Sequence, residues 1–145
     1  MKNPILLFKT MLFVSLISIS CSQEIPDPVQ AQKFIEGFME KKNQNDFTNL
    51  SDFYSHEMLS GESDEQRIAK FTQLYNALGK MESFKLLQSK EVNEPSSPPS
   101  VELTYEVTFS RQVVIEMYSV VKDGDQYKIS KQNTVSKSAW TGITN

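Results

Sequence analysis

From Val101 to Phe109 the chain alternates apolar and polar residues without interruption: Val101, Leu103, Tyr105, Val107 and Phe109 against Glu102, Thr104, Glu106 and Thr108. A period of two places all the apolar side chains on one face of a strand and all the polar ones on the other. Such a strand needs a cover for its apolar face and leaves the polar face to water, which restricts the fold to a sheet packed on one side. The flanking segments extend that sheet. Phe84, Leu86 and Leu87 open a predicted strand running towards Val92, residues 112–122 form a further strand rich in Val and Ile, and residues 126–135 return with Tyr127 and Ile129 inward. Asp123-Gly124 is a hairpin turn signal. Residues 93–100, with Pro95, Pro98 and Pro99, read as a loop.

Upstream the period is 3.6, so helices supply the cover. Asp27-Pro28 predicts a helix start, with Asp27 as N-cap and Pro28 in the first helical position. Ala31, Phe34, Ile35, Phe38 and Met39 then share one face. Gly37 within that helix costs about 1 kcal/mol relative to Ala. The run from Asn43 to Asp46 breaks the pattern. Phe47, Leu50, Phe53 and Tyr54 predict a second, short helix capped by Asp46. After Gly61, Ser63-Asp64-Glu65-Gln66 is a capping box. Ile68, Phe71, Leu74, Tyr75 and Leu78 make a third amphipathic helix that Gly79 stops. Helices followed by strands with short connections give an α+β class: N-terminal helices packed on a curved antiparallel sheet of about four strands. Trp140 falls in a C-terminal tail, 137–145, with no assignable structure, and there is no internal repeat.

The first twenty residues belong to none of this. Lys2 and Lys9 precede an uncharged, mostly apolar stretch from Met11 to Ile19, a small residue at Ser20, and then Cys21. A positive start, a short apolar run and a small residue before a junction predict a secretory signal over residues 1–20. A membrane span would need about 20 apolar residues, more than Lys9 and Cys21 bracket. The stretch Ile17-Ser18-Ile19-Ser20-Cys21 resembles the lipobox of bacterial lipoproteins, which implies cleavage before Cys21 and a diacylglycerol on its sulfur. Ser22 after the cysteine resembles outer-membrane rather than inner-membrane sorting. Residues 21–27, with Pro26 near the end, form a tether, and residues 28–136 the domain.

Composition removes several functional classes. Loss of residues 1–20 takes two lysines and no acid, moving the formal net charge from −3 to −5. An acidic chain lacks the basic footprint of a nucleic-acid binder and the Lys/Arg cluster that draws a protein to anionic lipid. Cys21 is the single cysteine, so no intrachain disulfide forms and the domain relies on its core.

Phe34-Ile35-Glu36-Gly37-Phe38-Met39 together with Asp46-Phe47-Thr48-Asn49-Leu50-Ser51-Asp52-Phe53-Tyr54 resembles the opening helices of cystatin-like and nuclear transport factor 2-like domains. Leu78-Gly79-Lys80-Met81-Glu82-Ser83-Phe84-Lys85, followed by two long strands, is similar to a family of uncharacterised secreted bacterial domains in that group. The resemblance covers residues 28–136. It implies a sheet curved round a long helix into a cone, and the superfamily holds enzymes, ligand binders and protein-pairing modules, often homodimers. It also implies that an enzyme of this type would place an Asp or a His–Asp pair in the cone as base, which directs attention to His56 and Asp52.

Tested residue by residue, chemistry is sparse. His56 is the only histidine, and Ser60 stands where a zinc-protease helix needs its second His, so neither a metal nor another cofactor is expected. One His and five scattered glycines assemble neither a Ser–His–Asp set nor a phosphate loop. Glu102 and Glu106 lie on the polar strand face, which is expected to be solvated. Asn49-Leu50-Ser51 matches a glycosylation sequon that has little meaning in a bacterial lipoprotein. Phe34, Phe38, Phe53, Tyr54, Tyr75, Tyr105 and Phe109 are expected to point inward, as core or as the lining of an open cone. The expectation is a non-enzymatic lipoprotein that meets a protein partner at the envelope. The alternatives are a carrier of a small apolar ligand in the cone and a weak enzyme with His56 or Asp52 as base.

Overall fold

The computed structural model describes residues 24–140. Cys21, the predicted signal and residues 141–145 lie outside the described residues. Among the described residues three helices precede a four-stranded antiparallel meander, the α+β class that the two periodicities require.

Helix α1 spans Pro28–Asn43. Asp27 Oδ1 accepts the Gln30 amide at 2.8 Å and Pro28 opens the helix, as the sequence predicts. Its buried face is Ala31, Ile35, Phe38, Met39 and, unexpectedly, Lys42. The second helix expected around residues 47–54 is a single 3₁₀ turn, Leu50–Phe53. Asn45 and Asn49 both take positive φ, 55° and 59°, and a left-handed residue interrupts a right-handed helix. Asp46 therefore caps no helix; its carboxylate instead holds the Thr48 amide at 3.2 Å. Ser55 caps the short helix α2, His56–Leu59.

Helix α3, Asp64–Leu78, opens on the predicted capping box: Gln66 N–H donates to Ser63 Oγ at 3.3 Å and Ser63 N–H to Gln66 Oε1 at 3.0 Å. Its buried face is Arg67, Phe71, Tyr75 and Leu78, while Ile68, expected inward, is exposed. Gly79 ends it at φ +84°.

Strands β1 (Met81–Val92), β2 (Ser100–Phe109), β3 (Val113–Asp123) and β4 (Gln126–Ser136) lie in that spatial order. β1 starts three residues before the expected Phe84, because Met81 already pairs with Phe109. Register shifts in β1 and in the β3–β4 pair mark bulges, which bend a sheet. The alternation of β2 sends Val101, Leu103, Tyr105, Val107 and Phe109 into the core against α1 and α3. On the outer face Ile115 is an exception: it lies level with Glu106 and Val135 and is fully buried. A C-terminal 3₁₀ turn, Lys137–Ala139, packs against β3 there, and Lys137 Nζ reaches Glu106 at 2.7 Å.

Candidate functional site

The seven aromatics all join the core. Phe38, Tyr54, Tyr75, Tyr105 and Phe109 are buried, and Phe34 and Phe53 are half-buried against them. They pack ring to ring: Phe38 meets Phe53, Tyr54, Phe71 and Tyr118 with centroids 5.2–6.4 Å apart, and Tyr75 meets Phe109 edge-on at 5.3 Å. Edge-to-face packing at these separations is the favourable geometry for aromatic pairs.

Within that aromatic packing sits a charge pair that pattern reading passes over. Lys42 Nζ donates to Glu116 Oε2 at 2.9 Å and to Tyr118 Oη at 3.0 Å, and Tyr118 Oη also donates to Glu116 Oε2. Lys42 and Glu116 are both 0% exposed. The ammonium also lies 4.9 Å from the centroid of Phe38 and 5.7 Å from that of Tyr118, so ring quadrupoles share its solvation. Glu116 Oε1, Tyr75 Oη and Tyr105 Oη are buried and have no hydrogen-bond partner among the side chains and backbone of the described residues. Burial raises Tyr118, Tyr54, Tyr75 and Tyr105 well above the ordinary phenol range, and the charge of Glu116 pushes the first three further. These phenols are donors, not bases, near neutral pH.

A cleft of about 200 Å³ opens between α3 and β4, directly behind this pair. Its apolar wall is Tyr54, Phe71 and Leu74, and its polar wall is Arg67, Gln132 and Thr134. The register fixes the link to the interior: Gln132 stands opposite Tyr118, and Thr134 opposite Glu116. Tyr54 Oη donates to Gln132 Oε1 at 2.7 Å. Arg67 is held by Asp64 at 2.9 Å and by the Glu62 carbonyl at 3.2 Å, and its guanidinium lies 5.1 Å from the Tyr54 ring centroid. Glu62 also takes Lys70 at 2.5 Å. The charges of the cleft are thus neutralised locally, leaving amide, hydroxyl and apolar surface. The cleft continues along α3 into a shallow depression lined by Gly61, Gln66 and Ala69.

The other sequence candidates lie elsewhere. His56 and Asp52 are both exposed. Asp52 borders a surface depression with Phe34, Phe53 and Tyr127, and its carbonyl accepts Lys128 at 2.6 Å. Glu102 is exposed, and Glu106 is half-buried under Lys137. Among the described residues no group of three or more His, Cys, Asp and Glu is placed to hold a metal ion.

No protein-family model and no curated protein matches the chain. Among solved structures, Bd1075 from Bdellovibrio bacteriovorus is similar over 77% of this chain, with a TM-score of 0.53 and 17% sequence identity. This chain covers 41% of that protein, and at such identity the likeness is one of fold.

Proposed function

We propose that the protein is an exported, lipid-anchored envelope protein whose domain binds a protein partner through the α3–β4 cleft. The observation that carries this reading is the volume left open. The interior is filled by its aromatics. The cleft, at about 200 Å³, opens onto a shallow, solvent-open depression of about 600 Å³ along α3, so it does not enclose a small molecule as a ligand pocket does. It is the size of one inserted side chain, the way a partner's anchor residue seats in a desolvated notch. Its walls suit such an anchor, with aromatic surface on one side and the Gln132 amide and Thr134 hydroxyl on the other. The anchor rests on the sequence around Cys21, and among the described residues no helix is long and apolar enough to cross a membrane. The lipobox resemblance supports the lipid, and Ser22 after the cysteine favours the outer membrane.

A photo-crosslinking side chain introduced at Thr134 in cells, with the same group at Thr104 on the outer sheet face as control, tests the site. A discrete crosslinked protein from Thr134 and none from Thr104 is expected. Crosslinking from Thr104 alone would move the interface to the outer face, and an apolar molecule retained in native mass spectra would restore the carrier.

A further inference from the structure

Topology brings one end of the sheet and the start of the domain together. Val92 pairs with Ser100, Ser100 with Val121 and Asp123 with Gln126, so the 93–99 loop and the β3–β4 turn share one end. The chain enters the domain at that end, where Glu24 Oε2 contacts Lys122 Nζ at 2.5 Å and Pro26 is buried. Only Ser22 and Gln23 lie between Cys21 and Glu24, at most about 10 Å of chain. The same short segment carries two of the exposed large apolar side chains among the described residues: Ile25, 37% exposed, and Val29, 59% exposed on the first turn of α1.

We propose that Ile25 and Val29 form a docking patch for the lipid bilayer that holds Cys21, with the Glu24–Lys122 ion pair fixing the domain's orientation on it. The inference rests on the anchored reading above. Length selects the occupant: Glu24 lies at most about 10 Å of chain from an acylated cysteine, so Ile25, the next residue, and the start of α1 are held close to the membrane surface, where exposed apolar side chains enter the boundary between headgroups and acyl chains. Charge selects the kind of contact. Asp123, Asp125 and Glu94 are exposed at the same end, so attraction to anionic headgroups is not what holds it. The contact is apolar, and the lipid on Cys21 supplies the proximity.

The test uses full-length acylated protein reconstituted in vesicles of a zwitterionic phospholipid with brominated acyl chains. In a Trp140→Phe background, Val29→Trp is compared with Ile68→Trp, an exposed apolar site on α3. Quenching of the indole at position 29 by about twofold, at the depth of an interfacial side chain, with little at position 68, is expected. Glu24→Lys should reduce the quenching at position 29, and adding Lys122→Glu should restore it. Equal, weak quenching at both positions in protein that still co-floats with vesicles overturns the docking and leaves the anchor standing. Protein that carries no acyl chain and does not co-float overturns both.

Discussion

Lys42→Met asks whether the interior is dry. The change keeps the length and most of the packing of the side chain while removing its charge. It leaves the Glu116 carboxylate fully buried, with Oε1 already lacking a partner and Oε2 retaining only Tyr118. Removing one member of a buried ion pair costs about 3–5 kcal/mol, because the remaining charge stays desolvated. Loss of the ammonium from beside Phe38 and Tyr118 adds about 0.5–2 kcal/mol. Against a total stability of about 5–15 kcal/mol, a loss of about 4 kcal/mol lowers the urea midpoint by about 2 M at a slope of about 2 kcal/mol per M.

Equilibrium urea unfolding followed by circular dichroism measures this, and a double-mutant cycle identifies the cause. Lys42→Met with Glu116→Leu removes both charges and strands only the Tyr118 hydroxyl, a cost of about 1–3 kcal/mol. The double variant should therefore be more stable than Lys42→Met alone and lie within about 3 kcal/mol of the parent. A Lys42→Met cost below about 1 kcal/mol would refute the reasoning, since a pair that loses so little is hydrated rather than sealed. The interior would then be open to solvent, and the case for a filled core would fail with it.

Alkaline pH should unfold the domain in a narrow window. Burial raises Tyr54, Tyr75, Tyr105 and Tyr118, so below about pH 10 both folded and unfolded chains keep these protons and stability is unaffected. Above it the unfolded chain releases protons that the folded chain retains, at about 1.4 kcal/mol per pH unit for each tyrosine. Four such residues remove about 5 kcal/mol per unit, so tyrosinate absorbance and loss of circular dichroism should coincide between about pH 10 and 12; ionisation of these four without unfolding would contradict their burial. Gly79→Ala should cost more than about 1 kcal/mol, because φ is +84° and the added Cβ falls on Ser110 Oγ. Ser110→Gly should recover only the steric part in thermal melts. Ser63→Ala should cost about 1 kcal/mol and speed amide exchange at Gln66, whose N–H the Ser63 hydroxyl accepts.

The fold was legible wherever a local rule acts alone. The strict alternation in β2, the Asp123-Gly124 turn, the Asp27 cap and the Ser63 capping box each depend on a few neighbouring residues, and each is present. The site was less so, because reading patterns by hydropathy sends charge outward. Lys42 continues the face of Ile35, Phe38 and Met39, and Glu116 shares the inward parity of Val114, Tyr118 and Val120. The periodicity therefore places both inside. What makes that tolerable is a partner 74 residues away, and no local pattern reports such a pairing. Arg67 repeats the lesson: it takes the inward place assigned to Ile68 because Glu62, Asp64 and the Tyr54 ring receive its charge. The second helix failed for the opposite reason. Its apolar spacing was sound, but two asparagines in left-handed conformation cut it to one turn.

The two proposed surfaces constrain each other through β4. The strand leaves the end where the chain enters the domain at Gln126 and reaches the cleft at Gln132, six residues or about 20 Å along an antiparallel strand. A tether that let the domain tumble would present the cleft at any height and angle. A domain docked through Ile25 and Val29 would present it at one height, no more than about 20 Å beyond the docked end. The partner that fits is then one held to the same membrane or lying close above it, because a side chain must enter the cleft from that level. Glu24→Lys, which removes the orientation but not the lipid, should therefore weaken crosslinking from Thr134 without releasing the protein from membranes. Unchanged crosslinking would mean that the partner reaches the cleft in any orientation.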